Sequence, residues 1–398
     1  MTFKYDIAIV GGCGHIGLPL GLLIARAGKR VLLADTDGDR VAAVSGGRMP
    51  FTEEGAQPLL DQELNRRLSV TSETRDALEA EGIIITVGTP VDEYLNPKYA
   101  PVLGLVDSLA ASMTKGQHIL LRSTVFPGTS ERTSKLSSVL RAGVHVSFCP
   151  ERVVQGQAIR EIGSIPQIVS GATAEARAWS RRLFEGLGAP IVETGMLEAE
   201  LAKLSNNAWR YFQFAAINQL FMVAVGHGAD FREVYRAMTS GYGRAASIPT
   251  PGFAAGPCLL KDTMQLAAFS RAEFPLGRSA VQVNEGLPNF IVNNLELTDD
   301  VKLEGATVGL LGMAFKAESD DIRDSLSFKL AKLLRFQGAK VLCSDPYVKH
   351  PDFIPAEEVV RRAQIIIIST PHRTYRDLPI PGDRKVVDIW GLREGIDR

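Results

Sequence analysis

Asp6-Ile7-Ala8-Ile9-Val10-Gly11-Gly12-Cys13-Gly14-His15-Ile16-Gly17 decides how the rest of the chain is read. A short apolar run enters a turn in which Gly12, Gly14 and Gly17 stand at G-x-G-x-x-G spacing. The first glycine permits the turn, the second lets backbone approach a pyrophosphate, and the third lets helix and strand pack closely. From Leu18, the pattern Leu18, Leu20, Leu22, Leu23, Ala25 and Ala27 suits a buried helix whose first N–H groups face phosphates. Arg30-Val31-Leu32-Leu33-Ala34-Asp35 then reads as a second strand ending in an acid. An acid about 20 residues past the glycines takes the adenosine ribose hydroxyls and disfavours a 2′-phosphate, which points to NAD rather than NADP. Gly12, Gly14, His15, Ile16, Gly17 and Asp35 are therefore candidate cofactor-binding residues. The alternative is a βαβ unit with a glycine-rich turn and no ligand.

The alternation of strand and helix continues. Gly82–Val87 reads as a buried strand running into Gly88-Thr89-Pro90, and His118–Arg122 as another running into Ser123-Thr124-Val125-Phe126-Pro127-Gly128. Val144–Phe148 is a third, followed by Cys149-Pro150-Glu151-Arg152. Ligands of open α/β sheets lie off the carboxyl ends of strands, which places Thr89, Pro90, Thr124 and Glu151 where cofactor and substrate would be. Ordinary turn residues would look the same, since Thr and Pro are common in turns.

The whole-chain properties narrow the class. At 398 residues the chain is too long for one ordinary core and suggests roughly two or three domains. A formal net charge of −1 argues against a nucleic-acid binder. Cys13, Cys149, Cys258 and Cys343 are far apart with no CxxC pair, which fits a reducing cytoplasm and gives no metal signature. The N-terminus leads straight into a strand, so no signal peptide is expected. Phe214–Val225 is the most apolar helical stretch, but Asn218 and Gln219 interrupt it and no membrane span is expected.

From Glu198 to about Val225 the chain is helix-compatible, with Lys203 and Asn207 at i and i+4 on one face. A lysine in a partly dry site serves as a charge partner or proton carrier; on a long amphipathic helix it is otherwise solvated. A helix of this length between two α/β halves is also a natural dimer surface. A Gly/Pro-rich loop with Arg244, a phosphate or carboxylate ligand or else a surface arginine, leads to Gly256-Pro257-Cys258-Leu259-Leu260-Lys261-Asp262. A helix starting near Cys258 would bring Cys258 and Asp262 onto one face, beside a lysine. That is a nucleophile, a cation and a candidate base; the alternative is a buried structural cysteine next to a surface Lys-Asp pair.

After Thr298-Asp299-Asp300 a second α/β unit begins, with strands at Thr307–Gly312, Gly338–Cys343 and Gln364–Thr370 and a helix from about Ser325 to Phe336. Lys316 and Arg323 fall at its first crossover turn. They either hold a nucleotide diphosphate or form an ion-pair cluster with Asp320, Asp321 and Asp324.

Taken together, these blocks resemble the nucleotide-sugar 6-dehydrogenases, which act on UDP-glucose, GDP-mannose or UDP-N-acetylmannosamine. The carrying motifs are Gly12–Pro19, Ser123-Thr124 with Pro127-Gly128-Thr129, Pro150-Glu151-Arg152, Glu200–Leu204 with Asn207, Gly256–Asp262, and Ala314-Phe315-Lys316 with Arg323. The resemblance implies an α/β fold of two Rossmann-like doubly wound domains joined by a central helical dimerisation domain, with boundaries at 1–192, 193–298 and 299–398. It implies a four-electron oxidation of the sugar C6 alcohol to a carboxylate, using two NAD⁺, through a thiohemiacetal and a thioester on Cys258. Lys203 and Asn207 would stabilise the oxyanion, Asp262 and Glu151 would handle water and protons, and Thr124 would organise the water. Arg152, Lys316 and Gly256 would meet the nucleotide sugar, Arg323 the cofactor side, and Arg244 a neighbouring subunit's substrate. Pro-Glu-Arg at 150–152, with Gln155–Ile159 and Ile165–Val169, resembles the UDP-N-acetylmannosamine branch, with UDP-glucose or UDP-N-acetylglucosamine oxidation as rivals. A two-electron β-hydroxyacid dehydrogenase would leave Cys258 unused, and a binding protein without turnover would not need the Cys258, Lys203, Asn207 and Asp262 set.

Overall fold

The computed structural model describes residues 3–89, 92, 98–271, 273–297 and 301–393. Pro90 and the Thr298-Asp299-Asp300 link lie outside them. The chain divides into two compact units, Met1–Ser205 and Asn206–Arg398.

The first unit is built on strands β1 (Tyr5–Val10), β2 (Val31–Ala34), β3 (Leu68–Thr71), β4 (Ala80–Ile85), β5 (His118–Leu121), β6 (His145–Phe148), β7 (Gln167–Gly171) and β8 (Ile191–Glu193). They form one sheet in the order β3-β2-β1-β4-β5-β6-β7-β8. Pairing is parallel throughout except between β6 and β7, which is antiparallel. The order from β3 to β6 is that of a dinucleotide-binding sheet, whose crevice opens where the order reverses, between β1 and β4. Side chains alternate across the pleat, and both faces are dry. Ile7 and Ile9 pack on one side with Leu20, Ile24 and Trp179, while Ala8 and Val10 pack on the other with Ile83, Val106 and Ile119. This double burial is why β1, β4 and β5 read as continuous apolar runs in the sequence. The helix Gly17–Arg26 is buried along Gly17–Ala25 and lies so close to the sheet that a β-carbon on Gly21 would stand 2.7 Å from Leu33 Cδ2.

The second unit holds a four-stranded parallel sheet of β9 (Thr307–Leu311), β10 (Lys340–Ser344), β11 (Ile365–Ile368) and β12 (Lys385–Asp388), in the order β10-β9-β11-β12. Val308, Leu310, Ile365 and Ile367 face a core shared with the helices Leu326–Phe336 and Pro275–Leu297, and Leu311 and Ile366 face the other side. The fold is α/β with two doubly wound sheets, as the sequence indicates. A long helix, Met196–Gly226, begins in the first unit and carries the chain into the second. No helix among the described residues is long and apolar enough to cross a membrane. Asn218, which breaks the apolar run of the long helix, is buried, donating to Gly252 O and accepting from Gly252 N, each at 2.9 Å. It clamps the loop that leads to Cys258.

Candidate active site

In the first unit, the turn after β1 is shaped by close approach. A β-carbon on Gly17 would lie 2.5 Å from Gly11 O and 2.8 Å from Gly12 Cα, and one on Gly12 would lie 2.7 Å from Ile9 O. Gly11 itself takes φ +80°, and Thr86 Oγ1 donates to Gly11 O and Val10 O at 2.9 and 3.0 Å, tying the turn to the end of β4. Ile16 precedes the helix Gly17–Arg26, which has no side-chain cap and no acid in its first turn. A helix start of that kind, behind a turn carrying Gly11, Gly12 and Gly14, fits the pyrophosphate of a dinucleotide. Asp35 follows β2 and accepts from Cys13 N at 2.9 Å through Oδ2 and from Asp37 N at 3.1 Å through Oδ1. Each oxygen keeps a lone pair for a ribose hydroxyl. His15 packs on Phe51 with ring centroids 4.0 Å apart, and its Nδ1 lies 3.2 Å from Gln155 Nε2.

At the ends of β4, β5 and β6, Thr89 Oγ1 donates to Thr124 O at 2.5 Å, so those two candidates are brought together. Arg122 is completely buried and pairs with Glu151 at 2.5 Å. Glu151 Oε1 also accepts from the backbone N–H groups of Arg152 and Val153, at 2.7 and 2.9 Å. The Arg152 side chain turns to Pro166 O. Lys203 is half-buried on the long helix. One turn earlier, the buried carboxylate of Glu200 accepts from Gly128 N at 2.5 Å and Ser130 N at 2.8 Å, at the start of the helix Thr129–Ser134. Burial pushes that carboxyl up, and the two backbone N–H groups oppose the shift.

In the second unit, Cys258 is exposed and sits at the N-terminal boundary of the helix Leu259–Phe269. That is the position at which unpaired N–H groups favour a thiolate. Asp262 N donates to Cys258 O at 2.8 Å, the first turn of this helix, and the Asp262 carboxylate is 1% exposed. Asn207 Nδ2 donates to Asp262 Oδ2 at 2.6 Å, across 55 residues of sequence. Asp262 Oδ1 is buried with no hydrogen-bond partner among the described residues, and Lys261 Nζ is 3.7 Å from it. An acceptor left open in a buried setting is suited to receive a proton or hold a water.

The loop after β9 completes this half. Gly256 takes φ +98°, donates its N–H to Asp324 O at 3.3 Å, and packs so closely that a β-carbon would meet the Phe315 ring at 2.5 Å. Arg323 grips Asp321 through Nε at 3.0 Å and Nη2 at 2.5 Å. The side-chain hydrogen bond to Asp321 raises the guanidinium; burial opposes it, and the charges of Asp321, Cys258 and Asp324 add to it. Of the two readings left open for Arg323, the ion pair with Asp321 is present. Lys316 is half-buried, with Nζ 5.8 Å from the centre of the Phe315 ring. Arg244 is exposed in a short turn, Gly243–Ala245. Trp390 lies over Gly252 and donates Nε1 to Ser369 O at 3.1 Å. Sequence reasoning missed Arg122, Thr86 and Asn218 as site-forming residues, since each acts on backbone or side chains far away in the chain.

Three profiles of one family match the chain in order: the NAD binding domain of the UDP-glucose/GDP-mannose dehydrogenase family over residues 5–187, its central domain over 197–286, and its UDP binding domain over 309–392. The chain belongs to the UDP-glucose/GDP-mannose dehydrogenase family. Membership makes it an NAD-dependent nucleotide-sugar dehydrogenase, with NAD as cofactor and a nucleotide-sugar-binding domain at its C-terminal end. It is similar to a UDP-N-acetyl-D-mannosamine dehydrogenase of Pyrococcus horikoshii, at 29% identity over 94% of this chain and 90% of that one. A UDP-glucose 6-dehydrogenase of Bacillus subtilis is also 29% identical, over 85% of this chain and 76% of that one. Among solved structures, a UDP-N-acetylmannosamine dehydrogenase of Pyrococcus horikoshii superposes with a TM-score of 0.89 at 26% identity, covering 98% of this chain and 96% of that one. These dehydrogenases share the two doubly wound sheets described above, and the glycine-lined turn after β1 lies within the match to the family's NAD binding domain.

Proposed function

We propose that the chain oxidises the C6 hydroxyl of UDP-N-acetyl-D-mannosamine to a carboxylate, giving UDP-N-acetyl-D-mannosaminuronate for polysaccharide or glycoconjugate synthesis. The observation that carries this reading is Cys258, exposed at a helix start within a unit that also pairs Asn207 with the buried Asp262. The glycine turn would hold NAD⁺, which would take up one hydride per molecule, so the four-electron oxidation would use two NAD⁺, the second replacing the NADH formed by the first. The C6 alcohol gives up its proton to Asp262 or Glu151 as the first hydride leaves, and the Cys258 thiolate adds to the resulting aldehyde carbon. Lys203 and Asn207 stabilise the oxyanion so formed. Loss of the second hydride leaves a thioester on Cys258. Water, organised by Thr124, then attacks its carbonyl; the C–S bond breaks, Cys258 leaves as thiolate, and Asp262 or Glu151 takes the proton. Arg152, Gly256 and Lys316 serve the nucleotide sugar, Arg323 the cofactor side, and Arg244 the substrate of a partner subunit.

The same reading assigns residues 1–192 to cofactor binding, 193–298 to a central helical and dimerisation segment, and 299–398 to nucleotide binding, in a cytoplasmic homodimer. The dimer is supported by the exposed Trp209, Leu220 and Val223 on the long helix. A UDP-glucose substrate is the second reading, favoured by the equal identity to the Bacillus subtilis enzyme. The test is NADH formed per sugar consumed with UDP-N-acetylmannosamine, UDP-N-acetylglucosamine, UDP-glucose and GDP-mannose. Two NADH from UDP-N-acetylmannosamine alone supports the proposal; two from UDP-glucose alone replaces the substrate; one NADH from any of them removes the thioester.

A further inference from the structure

Arg122 is a charged side chain in the core of the first unit, wholly shielded from water. Its guanidinium donates through Nη1 to Cys149 O at 3.0 Å and Pro150 O at 3.3 Å, and through Nη2 to Glu151 Oε2 at 2.5 Å and Gln167 Oε1 at 2.9 Å. The guanidinium lies 4.8 Å from the centre of the Phe184 ring. One planar fork thus joins the end of β5, the end of β6 and the start of β7 at the carboxyl edge of the sheet. Only arginine offers that many donors in a fixed plane. Glu151, for its part, spends one oxygen on Arg122 and the other on the N–H groups of Arg152 and Val153. Gln167 is itself held, donating Nε2 to Ile162 O at 3.0 Å. Removing one member of a buried ion pair strands the other charge, whereas removing both relieves it.

We propose that Arg122 is a positioning residue for the dehydrogenase reaction: it fixes Glu151 as the anchor of the 150–153 turn, where the nucleotide sugar is read, and so withdraws Glu151 from proton transfer. This rests on the proposed function above. The consequence is an assignment between the two carboxylates, with Glu151 as a bound anion that shapes the site and proton handling left to Asp262.

The experiment is a double-mutant cycle on the full chain with Arg122→Met, Glu151→Gln and the two combined. The sugar that gives two NADH with the wild type serves as substrate, and the active fraction is counted by alkylation of Cys258. Arg122→Met should raise KM for the nucleotide sugar about tenfold or more, with NAD affinity kept. Adding Glu151→Gln removes the stranded charge, so the double variant should be more active than Arg122→Met alone. Arg122→Lys, which keeps the charge without the fork, should fall between the wild type and Arg122→Met and serves if Arg122→Met does not fold. A double variant as inactive as Glu151→Gln, with an unchanged KM, would make Glu151 the proton carrier and overturn the proposal. A lowered active fraction with KM unchanged in every Arg122 variant would make Arg122 a core residue only, and overturn it too. Failure of the underlying reading looks different, as the wild type itself would then give no NADH with any nucleotide sugar.

Discussion

Gly256 and Gly17 tolerate no β-carbon, for different reasons. At Gly256 the backbone is left-handed and the Phe315 ring fills the space, so Gly256→Ala should cost about 2 kcal/mol in urea unfolding and displace the turn before Cys258. Slower alkylation of Cys258 in that variant would report the displacement. At Gly17 the neighbours are the backbone of the cofactor turn itself, so Gly17→Val should weaken NAD binding at least about tenfold, read by quenching of protein fluorescence. Cys258→Ser should keep NAD affinity and lose the second oxidation; full acid production by that variant would sink the thioester. The glycine spacing was legible because every residue it involves is local. The Arg122–Glu151 pair was not, because its partners lie 29 positions apart and nothing in either segment names the other.

Two elements carry consequences of their own. Glu200 fastens the long helix to the turn at Gly128–Ser130, one turn before Lys203. Glu200→Ala leaves those N–H groups without their acceptor and should lower stability by roughly 1–3 kcal/mol, with kcat falling as Lys203 shifts. An unchanged kcat would detach the helix anchor from the chemistry. At the far end of the sheet, where β5 and β6 begin, His118 stacks between His145 at 5.0 Å and Trp179 at 4.6 Å. Burial, then the charges of His145 and Arg182, lower its imidazole from 6.5 to about 4. The folded state therefore binds this proton less readily than the unfolded chain. Its contribution to stability is full above pH 6.5 and is lost as pH falls towards 4, by about 2 kcal/mol once solvent screening is allowed for. His118→Phe should flatten the thermal midpoint over that window; an identical pH slope in the variant would rule out His118 as its source. The strands β1, β4 and β5 were readable as apolar runs because both faces of the sheet are covered. Their companions β3, β7 and β8 carry mixed residues and are defined by pairing, which a single segment does not disclose. Pro90 lies outside the described residues.

At the scale of the whole molecule, two doubly wound sheets and a long helix were foreseeable from alternating strand and helix patterns, and the family match bears them out. The substrate and the oligomer were not, since each depends on surfaces assembled from several segments. If the long helix mediates a homodimer, Leu220→Glu combined with Val223→Glu should shift the sedimentation coefficient from that of a dimer to that of a monomer. No shift would move the interface elsewhere.

The four sulfurs are not equivalent. Burial pushes the thiols of Cys13 and Cys149 up to about 12 and about 11, and raises Cys343 as well, while Cys258 stands at the surface on a helix start. Peroxide attacks thiolate and spares buried thiol, so cysteine oxidation in this protein should be concentrated at Cys258, beginning as a reversible sulfenic acid. Mild peroxide should then silence turnover in step with modification of Cys258 alone, and dithiothreitol should restore it. Mass spectrometry that found Cys13 or Cys149 oxidised first would contradict this.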